Sequence, residues 1–328
     1  MKAVVSDRPG PADLLKVAEI ETPAVPDDGV LVRVHASSIN PVDLFSLTPV
    51  QHFMRRLAAR GKAQAEVLGN DFAGTVMAVG SAVTQFRAGD EVFGAYKGAF
   101  AQYLAVPESA GVVCKPTGAD FAAAAAVPVA ALTALQAVRD HGCIQPGQRV
   151  LVNGSSGGVG HFALQIAKAL GGEVTAVCST AKVEDARALG ADHVIDYTRA
   201  DFAEGAQSYD LVIDVAGSRP WSRCVRVMEP RATLVLAGAS ALKASAWRMI
   251  GHLAATRIAA VRGSRRAVFF IASIRRNDLH VLADMLADGR IRPIIDAHYP
   301  LRDIGGAFRH LSDGHARGKI VIDVEEAR

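Results

Sequence analysis

The sequence predicts a two-domain α/β protein, in which a doubly wound parallel sheet is inserted into a β-rich domain. Three observations carry this. From residue 149 onward, short apolar runs alternate with helical stretches through six strand candidates, the pattern of parallel strands joined by crossover helices. The segment before residue 121 reads instead as strands and turns, and the last residues return to strand character. The chain of 328 residues is also too long for one ordinary core and about right for two.

In chain order, residues 30–36 alternate about an apolar face, and 72–80 follow with Gly74 and Gly80 where strands bend or backbones approach. Residues 89–94 and 99–106 continue the pattern. Composition changes near Phe121: residues 122–138 are alanine-rich and helical in propensity, interrupted by Pro128. The six strand candidates are 149–153, 173–178, 193–196, 211–215, 233–237 and 268–271. A helix is expected over 277–288, ended by Gly289. Strands at 291–295 and 319–324 cannot join a six-strand unit that is already complete, so they are assigned to the first domain. The expected division is 1–121 with 291–328 for the β-rich domain and 122–290 for the parallel-sheet domain.

Half the residues are hydrophobic, 21% are charged, and the net charge is +3, which argues against a nucleic-acid binder. No run of about eighteen apolar residues predicts a membrane span. No apolar leader is visible, and a cytoplasmic location is expected. Cys114, Cys143, Cys178 and Cys224 lack metal spacing and are expected to be reduced, mostly buried thiols.

The most specific segment is 150–160, an apolar strand running into Gly154, Ser155, Ser156, Gly157, Gly158, Val159 and Gly160, with a helix following at once. This is the layout of a dinucleotide-binding turn, whose backbone N–H groups receive a pyrophosphate. Gly157 is expected to let the backbone approach the ligand and Gly160 to let the helix close on the strand. Ser155 stands where the strict fingerprint has glycine. About twenty residues on, Cys178, Ser179, Thr180, Ala181 and Lys182 offer no carboxylate for a ribose 2′-hydroxyl. Ser179 and Lys182 suit a 2′-phosphate, so NADP(H) is preferred to NAD(H). Glu184 and Asp185 nearby keep the other reading open.

These motifs, with 174–180 and 189–197, resemble the zinc-independent quinone oxidoreductases of the medium-chain dehydrogenase/reductase superfamily. Residues 38–43 (Ser-Ile-Asn-Pro-Val-Asp), 127–135 and 314–321 extend the resemblance over nearly the whole chain, the last in a form familiar from the reticulon-interacting branch. The resemblance implies a GroES-like β-rich catalytic domain, a Rossmann domain and NADP(H) in the cleft. It implies that Ser156, Gly158 and Val159 hold the pyrophosphate, and that Ser179, Lys182 and Tyr197 face the adenosine end. Val215, Ala216, Leu236 and Phe270 would line the path to the nicotinamide, with Thr133 and Asn40 near the reactive ring. His315, Ala316 and Arg317 would close over the cofactor.

The chain departs from the zinc-dependent relatives at 68–74, where Asn70 replaces a metal-binding histidine. A metal site from His35, His52 and Asp71 is not expected, since catalytic zinc takes three convergent protein ligands. Without a metal, the chemistry suits substrates that already accept hydride well, a quinone or an α,β-unsaturated carbonyl. Asn40 is expected to hydrogen-bond the substrate or the carboxamide, and Tyr96, in the turn at 94–98, to donate a proton or hydrogen bond. The basic amphipathic stretch 244–266 is open to three roles: a cleft cap, a homodimer contact or a membrane-surface contact. Two further readings stay open, an aldehyde or ketone reductase and an NADPH-binding regulatory protein with little turnover.

Overall fold

The computed structural model describes residues 1–6, 10–50, 66–237, 264–314 and 316–325. Strands β1 to β8 are Lys2–Ser6, Lys16–Glu19, Gly29–Ile39, Glu66–Val67, Asp71–Val79, Glu91–Ala95, Tyr103–Pro107 and Gly111–Cys114. Strands β9 to β16 are Arg149–Asn153, Glu173–Cys178, His193–Asp196, Tyr209–Asp214, Met228–Leu236, Arg266–Phe269, Ile295–Pro300 and Lys319–Asp323. The chain divides into two compact units, Met1–Val129 with Ile274–Arg328, and Ala130–Ser273.

The first unit is built on a sheet of order β15-β16-β3-β5-β6-β8, with β7 also pairing with β3, and a small sheet β2-β1-β4. Alternation along β3 sends Val30, Val32 and Val34 inward, where they join Phe72, Phe100 and Phe308 in the core. The tail lies in this unit: β16 runs antiparallel to β3, with Val321 opposite Ser38. The other tail strand, expected at 291–295, instead runs Ile295–Pro300. Pro293 has no N–H to give a ladder, so pairing begins beyond it.

The helix Phe121–Ala126 starts at Asp120, whose side chain accepts the N–H of Ala123 at 2.6 Å. Its alanines lie on β3, β5 and β16, and the helix Arg276–Ala287 lies on β8. Both helices therefore belong to the first unit, and the fold divides at 129/130 and 273/274 rather than at 121/122 and 290/291. The alanine-rich composition marks a helix but not its packing partner. After the helix Pro128–Leu135, residues Gln136–His141 widen into a π-turn, with the N–H of Gly142 reaching back to the carbonyl of Ala137 at 2.8 Å.

In the second unit all six strands are parallel, in the order β11-β10-β9-β12-β13-β14. The first three sit where the sequence puts them; the last three begin two to five residues earlier. The chain winds one way from β9 and the other way from β12. The loops leaving these two neighbouring strands therefore diverge, which makes the switch point where such sheets bind ligands. Among the described residues, no helix is long and apolar enough to cross a membrane. All four cysteines are free, but only Cys178 and Cys224 are buried, while Cys114 and Cys143 are exposed. The expectation of mostly buried thiols is corrected for those two: Cys114 ends an edge strand and Cys143 sits in a loop at φ +50°.

Candidate active site

The turn after β9 is shaped by two glycines. Gly154 has φ +85°, and a Cβ on Gly160 would lie 2.0 Å from the Gly154 carbonyl oxygen. Only glycine at 160 lets the helix Gly160–Ala169 close on the turn. Gly157 is under no such constraint, because its nearest neighbour would be 3.6 Å from a Cβ. Ser155 is buried, and its hydroxyl donates to the carbonyl of Val177 at 3.1 Å. A serine at this position thus ties the turn to β10. The helix starts at Val159 with no side chain capping it, and Ser156, Gly157, Gly158 and Val159 are all half-buried there. An uncapped helix start behind a glycine turn is receptive to an anion.

The predicted adenosine group comes together at the ends of β10 and β11. The N–H of Lys182 donates to the Ser179 carbonyl at 2.9 Å, and that of Tyr197 to Cys178 at 3.0 Å. Tyr197 is exposed, and Ser179 and Lys182 are half-buried. Sequence reasoning missed one carboxylate here. Asp196, opposite Cys178 on β11, accepts the Thr180 hydroxyl at 2.5 Å, which with the Thr198 donors holds its carboxyl below the usual range. It escaped notice because it stands one strand over from the position that the fingerprint names.

Val215 and Ala216 follow β12, and both N–H groups donate to the carbonyl of Asn153 at the end of β9. Their loop thus adjoins the glycine turn, with Ala216 Cβ 3.2 Å from where a Cβ on Gly154 would be. Leu236 ends β13 and is buried. Phe270 follows β14, and its ring lies 4.2 Å from that of His141. Thr133 is half-buried in a stretch, 130–138, that is otherwise buried.

The remaining predicted residues lie in the first unit. The structure assembles there a cluster that the sequence shows only in pieces. Asp71 opens β5 and is fully buried. Its Oδ2 accepts from Ser38 Oγ at 2.8 Å and Asn40 Nδ2 at 2.7 Å, and Lys319 Nζ stands 3.5 Å away. Its Oδ1 accepts the N–H of Val129 at 2.9 Å. Lys319 Nζ also donates to Asn40 Oδ1 at 2.5 Å and to the Ile39 carbonyl at 3.1 Å. Asn40 precedes the short helix Pro41–Ser46, and its N–H donates to Asp43 Oδ2 at 2.7 Å. Asn70 Nδ2 donates to Asp43 Oδ1 at 2.6 Å. Burial pulls the Lys319 ammonium below its ordinary range and pushes Asp43 up to about 7.

Asn40, expected to face a ligand, is 3% exposed, and each polar atom of its side chain has a protein partner. Tyr96 follows β6, half-buried against the core, and its N–H donates to the Asn70 carbonyl at 2.8 Å. Ala316 packs on the same core, and the N–H of Arg317 donates to Asp296 at 3.0 Å. His315 lies outside the described residues, as do His52 and most of 244–266. His35 is engaged by Thr75 and Glu325. Lys319 and the use made of Asp71 were missed; the one signal was a lysine opening an otherwise apolar strand.

Comparison with known proteins bears on both units. The family profile of the alcohol dehydrogenase GroES-like domain matches residues 26–117, and that of a zinc-binding dehydrogenase matches 189–322. The mitochondrial NAD(P)H oxidoreductase RTN4IP1 of Mus musculus is 33% identical over 99% of this chain and 89% of its own length. The chain belongs to the medium-chain dehydrogenase/reductase superfamily, in its quinone-oxidoreductase-like branch. Another medium-chain relative, the chloroplastic NADPH-dependent alkenal/one oxidoreductase of Arabidopsis thaliana, is 31% identical over 98% of this chain and 79% of its own. The quinone oxidoreductase structure from Coxiella burnetii matches with a TM-score of 0.85 at 29% identity, covering 99% of both chains. The GroES-like and Rossmann-type units of this superfamily are those described above.

One family profile is named for zinc, an ion that takes three convergent protein ligands. Among the described residues, no three His, Cys, Asp or Glu side chains converge on a point. Both oxygens of Asp71 are taken, and a buried ammonium stands beside it. These residues do not fit a zinc ion.

Proposed function

We propose that this chain is an NADPH-dependent oxidoreductase that transfers hydride to a quinone or an α,β-unsaturated carbonyl without a metal. The observation that carries the reading is the uncapped glycine turn, with Ser179, Lys182 and Tyr197 gathered on the neighbouring strand ends. Backbone N–H groups at 156–159 would bind the pyrophosphate. The Ser179 hydroxyl and the Lys182 ammonium would bind the 2′-phosphate, and the Tyr197 ring would lie by the adenine. Val215, Ala216, Leu236, Phe270 and Thr133 would flank the nicotinamide, and His315, Ala316 and Arg317 would close over the dinucleotide. The nicotinamide supplies the hydride when bound. The protein's part is to hold the reactants in place and to favour charge developing on the substrate oxygen.

Conjugated acceptors suit this site because their charge spreads over the π-system, so strong Lewis-acid help is not required. Asn40 acts in this reading by holding its neighbours rather than by touching the substrate, and Tyr96 remains the proposed hydrogen-bond donor. The quinone- and enone-reducing relatives favour a small hydrophobic substrate. A homodimer is proposed on the family resemblance alone. The test is a panel: purified protein with NADPH and a set of quinones, enones and simple aldehydes, followed by loss of NADPH absorbance. Turnover of the conjugated acceptors well above the aldehydes is expected; binding of NADPH with no oxidation across the panel rejects the reading.

A further inference from the structure

The inference that follows rests on the reductase reading and concerns what sets the nicotinamide half of its site. Asn153 and Asp214 close β9 and β12 and stand opposite each other in the parallel pairing, at the switch point of the second unit. Both are buried, Asp214 to 2% exposure. A carboxylate in that position is costly unless hydrogen bonds answer it. Its Oδ1 accepts Nδ2 of Asn153 at 2.8 Å and the N–H of Gly217 at 2.8 Å.

Asn153 holds the same loop. Its Nδ2 also donates to Ser218 Oγ at 3.0 Å, which commits both N–H bonds of the amide. Its main-chain carbonyl accepts the N–H groups of Val215 at 3.0 Å and Ala216 at 3.3 Å. Every residue from 215 to 218 is thereby tied to Asn153 or Asp214. Gly217, at φ +59°, allows the bend that returns Ser218 to the amide.

The glycine turn is anchored elsewhere. The N–H groups of Gly154 and Ser155 and the Ser155 hydroxyl all donate to the Val177 carbonyl of β10. Asn153 is the joint between the two anchorages: the turn leaves from it, and the 215–218 loop is fastened to it. The two segments are in contact, since a Cβ on Gly154 would lie 3.2 Å from that of Ala216. Removing the Asn153 amide therefore loosens the loop and leaves the turn's bonds to Val177 in place.

We propose that Asn153 and Asp214 are positioning residues for hydride transfer, a buried clamp that fixes the 215–218 loop at a set spacing from the glycine turn. The turn holds the pyrophosphate, and the clamped loop lets Val215 and Ala216 hold the nicotinamide in its reacting orientation. Neither Asn153 nor Asp214 touches the ligand with its side chain. A loosened loop leaves the ring mobile, and a small misplacement of a reacting group lowers kcat steeply. The adenosine end, at Ser179, Lys182 and Tyr197, does not depend on the clamp.

The experiment compares the wild type with Asn153→Ala, Asp214→Ala and the double variant, using NADPH and one quinone. Asn153→Ala should lower kcat about thirtyfold and weaken NADPH binding about tenfold, while KM for the quinone moves little. Binding of 2′,5′-ADP, which carries the adenosine end and lacks the nicotinamide, should be unchanged. A merely structural defect would weaken both ligands alike. The double variant should be no worse than the poorer single one, because each removes the same clamp. Two further readings do not depend on the alanine variants folding. In the wild type, the N–H groups of Ala216 and Gly217 should exchange with solvent about a hundredfold more slowly than in unstructured chain. Ser218→Ala, at an exposed position, should lower kcat about threefold with 2′,5′-ADP affinity kept. Equal weakening of NADPH and 2′,5′-ADP, wild-type kcat in Asn153→Ala or in Ser218→Ala, or unprotected N–H groups at 216 and 217 would each overturn the clamp. A wild type that bound neither ligand would sink the reductase reading and the clamp's role with it, an outcome visible before any variant is made.

Discussion

The glycine turn of the second unit and the polar cluster of the first manage charge in opposite ways. The turn holds no charged side chain; it offers backbone N–H groups and the open start of a helix. The cluster buries two carboxylates and an ammonium, each answered by protein groups. In the proposed function the turn receives a charge from outside, whereas the cluster has its charges built in and must keep them balanced. A substitution at the turn therefore acts first on ligand binding, and one in the cluster acts first on folding and then on the pH dependence of whatever the site does.

The largest expected effect tests the cluster. Lys319→Met leaves Asp71 buried without its ammonium and should lower stability in urea unfolding by about 3–5 kcal/mol. Lys319→Arg keeps the charge and should recover part of this, limited by the larger guanidinium. A loss under 1 kcal/mol for the methionine variant would show the cluster to be no more demanding than the turn.

The next effect is a pH slope. The folded pKa of Asp43, about 7, lies above its unfolded value, so folding penalises the ionised form. Its contribution to stability is therefore best below about pH 4. It falls as pH rises toward 7, by up to about 1.4 kcal/mol per unit, and is flat above. The difference in unfolding free energy between wild type and Asp43→Asn should follow that curve. A difference independent of pH would break the contrast with the turn, where no buried titration is at stake.

The smallest effect tests the turn side. Lys182→Ala should raise KM for NADPH about tenfold and leave KM for NADH nearly unchanged, with no measurable loss of stability. Asp196, held ionised beside Thr180, would work against a 2′-phosphate bound as proposed, so Asp196→Asn should shift the preference further toward NADPH by a few-fold. Equal effects on both cofactors at Lys182 would place the 2′-phosphate elsewhere.

The same contrast explains what could be read from the sequence. The turn is legible because its parts, Gly154 to Gly160 with the strand before and the helix after, are contiguous, and Gly154 and Gly160 each have a local reason to be there. Ser179 falls within the same spacing, whereas Tyr197 is reached only through the family resemblance; the parallel pairing of Cys178 with Asp196 sets the two side by side. The cluster was not legible as a unit, because Lys319 and Asn40 are 279 positions apart and meet only through the antiparallel pairing of β16 with β3. Asn40 is legible as a polar residue before a helix, but whether its amide faces outward or inward depends on Asp71 and Lys319. The helix Phe121–Ala126 was found by composition and assigned to the other domain, since alanine content says nothing about which sheet receives it.

The carboxylate of Asp71, shared by Ser38, Asn40, Lys319 and the Val129 N–H, links the evolutionary fates of positions far apart in the chain. A lineage cannot drift at 319 and 71 independently, because losing either strands the opposite charge in the interior, and losing Asp71 also strands the Ser38, Asn40 and Val129 donors. In a library randomised at 38, 40, 71 and 319, surviving sequences should therefore emerge as correlated sets, and ancestry at one of these sites should predict the residue at the others.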